Sequence, residues 1–513
     1  MPHLSYSSLI SPKVANLTMA SPPHQLHFVL IPLMAQGHLI PMSDIAKILA
    51  QRNVAVTIIT TPLNAIRIKT TIDRAVQSGL SIRIAELQFP YAEVGLPEGS
   101  ESIDSLPSPS FIKSFLTGIS LLQQPLEQLF EELNPSPCCI ITDKHFAWTA
   151  ETANKFHVPR ILFDGTNCFH LLCTHNLHVS KVCESVSDSQ PFVVPGLPDH
   201  IKFTKAQLPG NFNPGLNKDL IGFRETVREA AAGAYGVLVN SYEELEPAYV
   251  QEYRKAKGEK IWCVGPVSLC NKESLDKAQR GNKASTDENQ CLKWLDSWAP
   301  GSVIYSCLGS LSRLTPPQLI ELGLGLEASK RPFIWVIRGG YKREEMENWL
   351  LEDGFEERVK GRGFLIRGWA PQVLILSHPA IGGFLTHCGW NSTLEGISAG
   401  IPMITWPLFA EQFFNEKLIV QVLEIGVRVG AKVVIHLGEE ENFGVLVKRE
   451  NVKEAIDMVM GEGEEKEKRR ERGRKLAEMA NKAIEEGGSS YLNITLLLED
   501  IMQQAKKNQA IQA

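Results

Sequence analysis

The chain has 513 residues, of which 43% are hydrophobic and 21% charged, and this ordinary globular usage excludes a disordered or collagen-like protein. It carries 52 Lys and Arg against 58 Asp and Glu, a formal net charge of −6, which argues against nucleic acid as the main partner because such domains carry a basic surplus. At about 150 residues per domain, we expect more than one domain.

Residues 1–25 are predicted to be a flexible leader. They lack the charged start and apolar stretch of a secretory signal. A plastid transit peptide is the alternative, although it would contain more Arg, and Met19 offers a second translation start. No stretch near either end reaches the roughly 20 apolar residues that span a bilayer. The ten Cys include no CxxC pair, so we expect a cytoplasmic protein with free thiols.

Strands and helices alternate from residue 27 onward. The apolar run 27–33 predicts a buried strand, a loop through His38 follows, and 40–52 has helical periodicity. The β-branched run 54–60 predicts the next strand, which completes a βαβ unit and indicates a parallel sheet. The alternation continues with predicted helices at 121–133 and 148–156 and predicted strands at 138–142, 160–163, 236–240 and 261–264.

A polar stretch, residues 271–290, separates two halves of the chain. It has no apolar periodicity and is predicted to be a linker. The alternation then resumes with a strand at 302–306, a helix at 316–329 and a strand at 333–337. We therefore expect an N-terminal domain over 26–268, a linker over 269–292, a C-terminal domain over 293–484, and a final helix within 485–513 that packs back on the N-terminal domain.

The block 369–412 carries the candidate chemistry. Its predicted strand 382–386 ends at His387-Cys-Gly389, and a helix over 390–399 follows. This arrangement makes an anion site, because the first backbone N–H groups of a helix lack partners and its dipole favours negative charge. Asn391 and Ser392 add side-chain donors, and His387 can donate beside them. The pattern predicts a pyrophosphate site.

Other residues of the block suit the rest of a sugar nucleotide. Glu395 lies four residues after Asn391 on the same helix face, and a carboxylate can accept from both hydroxyls of a ribose. Trp369 offers an indole on which a base can stack. Glu411 and Gln412 follow a predicted strand, where ligands of open α/β sheets bind. Taken singly, each residue has an alternative role in a core or on a surface, and only the ordered combination is specific.

That combination closely resembles the signature box of plant family-1 UDP-glycosyltransferases, and here it reads WAPQVLILSHPAIGGFLTHCGWNSTLEGISAGIPMITWPLFAEQ. The resemblance extends to the AQGHLIPM loop and to the CLGSL segment at 307–311. It implies an α/β protein of the GT-B fold, with two Rossmann-like domains facing an inter-domain cleft. It also implies an enzyme that uses UDP-glucose as co-substrate and has no cofactor.

The resemblance also implies a role for each matching position. Trp369 and Ala370 would contact the uracil, and Gln372 and Glu395 would hold the ribose. The remaining donor contacts are His387, Asn391, Ser392 and Ser310 for the diphosphate, and Trp390, Glu411 and Gln412 for the sugar. In this family Trp390 and Gln412 go with glucose, whereas Arg and His at these positions suit glucuronate and galactose.

His38 matches the catalytic base of the family, and Asp143 matches its carboxylate partner. An imidazole titrates near neutral pH and can take a proton from a hydroxyl, and a carboxylate can fix its tautomer. The alternatives are a loop histidine at 38 that fills space, and a helix N-cap at 143 before a helix over 145–156. The resemblance implies one inverting displacement that gives a β-glucoside.

The chain has no Asp-x-Asp, the pair that holds Mg²⁺ or Mn²⁺ on a diphosphate, so no metal is expected. The helix N-terminus and His387 would carry that charge instead. We expect a monomer that acts on a small lipophilic plant metabolite, such as a flavonoid, a triterpenoid or steroid, or a hormone aglycone. The candidates for its pocket lie in the N-terminal half: Phe89, Tyr91, the segment 95–99, His145, Phe146 and Phe203.

Two other functions compete with this interpretation. A Rossmann oxidoreductase would need GxGxxG directly after a strand, and the nearest match, Gly323-Leu-Gly325, lies inside a predicted helix and lacks the third glycine. The second alternative is a catalytically silent UDP-sugar-binding protein of the same fold. The presence of both His38 and Asp143 argues against it.

Overall fold

The computed structural model describes residues 25–213, 215, 218–338 and 342–512. The predicted leader lies outside these residues except for its last position. Among the helices in the described ranges, none is long and apolar enough to cross a membrane.

The N-terminal half is built around a parallel sheet. Its strands are β1 (His27–Ile31), β2 (Ala55–Thr60), β3 (Ile82–Glu86), β4 (Cys139–Asp143), β5 (Arg160–Asp164), β6 (Phe192–Val193), β7 (Lys202–Phe203), β8 (Gly236–Val239) and β9 (Ile261–Cys263). β6 and β7 form a separate antiparallel pair, and the others form one sheet in the order β3-β2-β1-β4-β5-β8-β9. Its helices are α1 (Gln36–Ala50), α2 (Pro62–Gln77), α3 (Tyr91–Val94), α4 (Ile112–Ser120), α5 (Gln123–Glu132), α6 (Thr149–Lys155), α7 (Cys168–Ser180), α8 (Ile221–Ala232) and α9 (Pro247–Lys257).

The C-terminal half repeats this plan. Its strands are β10 (Val303–Cys307), β11 (Phe333–Ile337), β12 (Gly363–Arg367), β13 (Ile381–Thr386), β14 (Met403–Thr405) and β15 (Gly426–Arg428), and they form one parallel sheet in the order β12-β11-β10-β13-β14-β15. The helices after β9 are α10 (Ser274–Ala278), α11 (Glu288–Asp296), α12 (Pro316–Ala328), α13 (Arg343–Glu352), α14 (Phe355–Val359), α15 (Gln372–Leu376), α16 (Trp390–Ser398), α17 (Gln412–Lys417), α18 (Arg449–Met460), α19 (Glu464–Ile484) and α20 (Ser489–Gln512).

Apolar side chains cover both faces of the N-terminal sheet. Along β1, Phe28 and Leu30 belong to one buried core, and Val29 and Ile31 belong to another, because successive side chains of a strand point to opposite faces. Helices cover both faces, as parallel sheets require. α20 packs on the face that carries Phe28, through Ile494, Leu497, Leu498 and Ile501.

The strand order reverses once in each sheet, and these reversals position the candidate site. In the N-terminal sheet β1 lies between β2 and β4, and in the C-terminal sheet β10 lies between β11 and β13. Ligands of open α/β sheets bind at such switch points, beyond the carboxyl ends of the strands. His38 follows β1 and Asp143 ends β4, while Ser310 follows β10 and His387 follows β13.

Helix α1 begins four residues before the predicted start at residue 40. Its first residue is Gln36, so His38 lies in the first turn of the helix and not in the preceding loop. The predicted start rested on helical periodicity, which the polar residues at 36 and 38 do not show. Pro41 has no N–H for the Gly37 carbonyl, and the side chain of Asn391 donates to that carbonyl instead, at 2.6 Å.

The stretch 271–290 is more ordered than the linker we predicted. It contains α10 and the start of α11. Asn271 is 1% exposed and Arg280 is 9% exposed. A buried charge is costly unless it is paired, and the partners of Arg280 lie far away along the chain, so the local pattern could not reveal them.

The competing dinucleotide motif is part of a helix. Gly323 and Gly325 lie within α12, where an added Cβ would meet Trp335 and Val452. These glycines therefore allow α12 to pack closely on its neighbours, and they form no turn after a strand.

Candidate active site

A histidine and an aspartate meet at the switch point of the N-terminal sheet. The Nδ1 atom of His38 is hydrogen-bonded to Oδ2 of Asp143. The carboxylate is buried, with Asp143 2% exposed, whereas His38 is 33% exposed. Because an ionised carboxylate can only accept, the neutral imidazole carries its proton on Nδ1, and Nε2 remains the basic nitrogen.

The charges of this pair stabilise each other. Burial alone would lower the pKa of His38, but the charge and hydrogen bond of Asp143 outweigh burial and raise that pKa above its usual value of 6.5. Burial likewise would raise the pKa of Asp143, but the neighbouring imidazoles hold it well below its usual range. Asp143 is therefore ionised near neutral pH.

A second imidazole shares Asp143. The Nδ1 atom of His145 lies 2.5 Å from Oδ1 of Asp143, and the backbone N–H of His145 donates to the same oxygen at 3.0 Å. The rings of His38 and His145 meet edge to face, with centroids 5.9 Å apart. α6 begins only at Thr149, so Asp143 holds a turn and does not cap the helix predicted over 145–156. The sequence indicated His145 only as a candidate for the acceptor pocket.

We expect His145→Ala to change the pH dependence of catalysis. The carboxylate of Asp143 then acts on His38 without a competing imidazole, so the pKa of His38 rises further. The acidic limb of kcat/KM against pH should move to higher pH by about half a unit, while Lys144 and Glu411, which also act on His38, stay in place. A pH–rate series with the exposed His200→Ala as control measures this shift, and an unmoved limb would mean that His145 does not share the carboxylate.

Most aromatic candidates for the acceptor pocket belong to cores. Phe89, Phe146 and Phe203 are buried, and Phe203 packs on Phe414 with ring centroids 4.8 Å apart. Tyr91 is half-buried, and its hydroxyl donates to Glu101. From one sequence alone, an aromatic residue in a hydrophobic core cannot be distinguished from one that lines a pocket.

Across the cleft, three predicted ribose and phosphate residues form one hydrogen-bonded group. The Nε2 atom of Gln372 donates to Ser392 Oγ at 2.9 Å and to Glu395 Oε2 at 2.8 Å. Ser392 and Glu395 lie in α16, whose N-cap is Gly389, a residue with no side chain to cap the helix. The first turn of α16 therefore presents backbone N–H groups that can receive an anion.

His387 does not bring the charge that we expected of it. Burial and the nearby Arg338 lower its pKa to about 4, so the imidazole is neutral at pH 7 and offers a hydrogen bond. Its Nδ1 atom is buried with no partner in the described part of the chain. The cation here is Arg338, whose guanidinium carbon lies 4.5 Å from the Trp369 ring centroid. Sequence reasoning missed Arg338, which directly follows β11.

The other predicted contacts with the base and diphosphate lie nearby. The Nε1 atom of Trp369 donates to the backbone carbonyl of Arg280 at 3.1 Å. Ala370 is buried, and its carbonyl accepts from the backbone N–H of Gln372 at 2.9 Å. Ser310 is half-buried in the loop that follows β10.

The predicted sugar contacts differ in which of their side-chain groups remain available to bind a sugar. The indole of Trp390 is 2% exposed, and its Nε1 donates to the Asn240 carbonyl at 2.6 Å, so the ring packs between the two halves and is not open to a sugar. Gln412 uses its Oε1 atom to accept from the backbone N–H groups of Leu408 and Phe409, at 2.8 and 3.1 Å. Its amide nitrogen is the end left to donate.

Glu411 faces the N-terminal half. Burial raises the pKa of its carboxyl, and the charges of Lys144 and His38 oppose that rise. Oε1 of Glu411 accepts from the backbone N–H of Trp390 at 3.4 Å. The last part of the block thus lies within electrostatic reach of the His38–Asp143 pair, in one cleft.

Two parallel sheets with switch points at one cleft, one beside a His–Asp pair and the other beside the N-terminus of α16, are the arrangement expected of a sugar-nucleotide transferase of the GT-B fold. Comparison with known proteins agrees. Residues 282–458 match the family model described as UDP-glucoronosyl and UDP-glucosyl transferase, and residues 24–269 match the model described as glycosyltransferase, N-terminal domain. The chain belongs to the plant family-1 UDP-glycosyltransferases.

Individual relatives match over nearly the whole chain. UDP-glycosyltransferase 73C6 of Arabidopsis thaliana is 54% identical, over 95% of this chain and 98% of that protein. The crystal structure of Glycyrrhiza uralensis UGT73P12, complexed with glycyrrhetinic acid 3-O-monoglucuronide, is 38% identical with a TM-score of 0.89, over 95% of this chain and 98% of that chain. Phytolacca americana UGT2, complexed with UDP-2fluoro-glucose and pterostilbene, is 26% identical with a TM-score of 0.72, over 93% and 100%.

Proposed function

We propose that this UDP-glycosyltransferase moves glucose from UDP-glucose to a hydroxyl of a small lipophilic plant metabolite and gives a β-O-glucoside. The observation that carries the proposal is the meeting of the two halves in one cleft. The side chain of Asn391, in the first turn of α16, donates to the Gly37 carbonyl at 2.6 Å, and Gly37 precedes His38. This contact supports the proposal, because it brings the proposed base next to the proposed anion site.

In the proposed reaction His38 is the general base. Its Nε2 atom takes the proton of the acceptor hydroxyl while the acceptor oxygen forms a bond to C1 of glucose. The bond from C1 to the UDP oxygen breaks at the same time, and UDP leaves with its electron pair. Asp143 stabilises the imidazolium that forms. Attack opposite the leaving group converts the α-linked donor into a β-glucoside.

The C-terminal half is assigned to the donor. Trp369 and Ala370 contact the uracil, Gln372 and Glu395 bind the ribose, and Ser310, His387, Asn391 and Ser392 bind the diphosphate. The open N-terminus of α16 receives the charge that develops on UDP. Glu411 and the amide nitrogen of Gln412 bind sugar hydroxyls, and Trp390 contributes its backbone and shapes the site from the domain interface.

The acceptor class is proposed from relatives and from the exposure of His38. The Glycyrrhiza and Phytolacca structures hold glycyrrhetinic acid 3-O-monoglucuronide and pterostilbene. By this likeness, we assign flavonoid, triterpenoid, steroid or hormone aglycones to the cleft beside His38. We also propose that the enzyme is a monomer. All ten cysteines are free thiols, which supports action in the cytoplasm.

We expect the reaction to be independent of divalent metal. The charge of the leaving UDP is stabilised by the helix N-terminus and neighbouring donors, so no ion is needed on the diphosphate. Initial rates should be the same in EDTA and in added Mg²⁺ or Mn²⁺ after the protein has been dialysed against chelator. Loss of activity in EDTA that returns with Mg²⁺ or Mn²⁺ would contradict this proposal.

A donor series tests the choice of sugar. The purified protein is given UDP-glucose, UDP-galactose or UDP-glucuronate with the same acceptor, and kcat/KM is measured for each. We expect UDP-glucose to have the highest value, and we expect nuclear magnetic resonance of the product to show a β-linkage. A higher value for another donor would contradict the assignment of glucose, and an α-linked product would contradict the inverting displacement.

A further inference from the structure

A segment that we call the strap, residues 271–285, crosses from one half to the other. On the N-terminal side, the guanidinium of Arg74 donates to Asp276 at 2.7 Å. On the C-terminal side, Trp369 Nε1 donates to the Arg280 carbonyl at 3.1 Å, and the Ser285 backbone N–H donates to the Trp369 carbonyl at 2.8 Å. The strap therefore passes beside the indole assigned to the base.

The strap fits tightly where it crosses. Gly281 has a φ of +79°, and an added Cβ would lie 2.6 Å from Cζ2 of Trp369 and 2.7 Å from Cδ1 of Ile40. Glycine adopts such a φ without strain, and here it also leaves room between Trp369 and α1. This close passage places the neighbouring Arg280 between the two halves.

The guanidinium of Arg280 joins two helices of the site. Its Nη2 atom lies 2.6 Å from Oδ2 of Asp44 in α1, and its Nη1 atom lies 2.5 Å from Oε1 of Glu395 in α16. α1 carries His38, and the N-terminus of α16 is the proposed diphosphate site. Burial would lower the pKa of Arg280, but the two carboxylates raise it, so the side chain stays charged.

The contacts of Glu395 leave room for a ribose. One carboxylate oxygen accepts from Arg280 at 2.5 Å, and the other accepts from Gln372 at 2.8 Å. A carboxylate has about four acceptor positions, two on each oxygen, so each oxygen keeps one for a hydroxyl. Arg280 and Gln372 together orient the carboxylate so that it can accept from two neighbouring hydroxyls.

We propose that Arg280 is a positioning residue for the sugar nucleotide, which orients Glu395 toward the ribose and ties the helix of His38 to the helix that receives the diphosphate. The inference rests on the donor site of the proposed function. Without the guanidinium, the buried carboxylates of Asp44 and Glu395 lose their shared cation, and their charges act against a bound diphosphate. Arg280 thus acts on donor binding through Glu395.

The test compares Arg280→Gln and Arg280→Lys with the control Arg74→Gln, which removes another Arg–Asp pair of the strap outside the cleft. We expect Arg280→Gln to raise the Kd for UDP and the KM for UDP-glucose about 10- to 100-fold, because a hydrogen bond to a charged group is lost. The acceptor KM should stay unchanged. Arg280→Lys, which keeps the charge but not the two-pronged geometry, should lose less, and Arg74→Gln should match the wild type.

The double variant Asp44→Asn/Arg280→Gln keeps the test decisive if Arg280→Gln fails to fold. It removes one of the two orphaned carboxylates, so we expect it to fold and still to bind UDP weakly. Two results would overturn the role of Arg280 while leaving the proposed donor site intact. In the first, all variants bind UDP as tightly as Arg74→Gln does. In the second, the KM for the donor and the KM for the acceptor rise equally. Failure of the wild type to bind UDP would instead overturn the proposed donor site.

Discussion

Replacing His38 by Ala should lower kcat/KM for glucosyl transfer by roughly 10³-fold, within the range that a general base contributes. The acceptor then has no group to take its proton, because the neighbouring His145 is hydrogen-bonded to the opposite oxygen of Asp143, with its ring centroid 5.9 Å from that of His38. Binding of UDP should be unchanged, since the donor contacts lie in the C-terminal half. Initial rates and UDP titration calorimetry on the same preparation measure both effects.

Two results would contradict the assignment of His38. Turnover of His38→Ala at the wild-type rate would exclude it as the base. A loss of UDP binding equal to the loss of rate would show that the substitution disturbs the whole cleft and that His38 has no separate catalytic role. Asn391 donates to the carbonyl of Gly37 and not to the imidazole, so we expect the contact between the two halves to survive the substitution.

Asp143→Asn should lower kcat/KM by roughly 10²-fold, at the lower end of what general acid–base catalysis contributes, because a neutral amide does not stabilise the imidazolium. The substitution should also move the acidic limb of the plot of kcat/KM against pH. The charge of Asp143 raises the pKa of His38 against burial, so without that charge burial lowers the pKa and the limb moves to lower pH. The direction is opposite to that expected for His145→Ala. Unfolding alone would lower the rate but would not move the acidic limb to lower pH, so the two changes together test the role of Asp143.

Asp164→Asn is the matched control for this experiment. Asp164 ends β5, the strand beside β4, and pairs with Lys144 at 3.4 Å, so it is a similar carboxylate at the same edge of the sheet. We expect it to keep most of the activity and the wild-type acidic limb. If Asp143→Asn kept full activity and the acidic limb did not move, Asp143 would have only a structural role, in the turn at His145.

The alternating architecture could be predicted because it depends on local periodicity. β11 has the predicted bounds, Phe333–Ile337, and α16 begins at Trp390 as predicted. The start of α1 was missed because the side chain that donates to the Gly37 carbonyl, in place of the N–H that Pro41 lacks, is Asn391, 354 positions from Gly37 in the chain. The comparisons confirm the GT-B fold and the family that the signature block indicated.

The proximity of candidate site residues could be predicted within the block 369–412, but not where distant segments of the chain meet. Gln372, Ser392 and Glu395 do form one group, because a strand, a turn and a helix fix their spacing. Arg280 was hidden in a polar stretch, since its burial depends on carboxylates from two other helices. The packed indole of Trp390 and the neutral imidazole of His387 depend on burial, which the linear pattern does not specify.

The most direct test of the central claim is a product screen by mass spectrometry. Wild-type protein and His38→Ala are each incubated with UDP-glucose and a pooled panel of flavonoids, phenolics, cytokinins, sterols and triterpenes. We predict that an acceptor carrying one added hexose appears with the wild type and is almost absent with His38→Ala. Equal product from both proteins, or a wild-type protein that neither binds UDP-glucose nor transfers its sugar, would contradict the account.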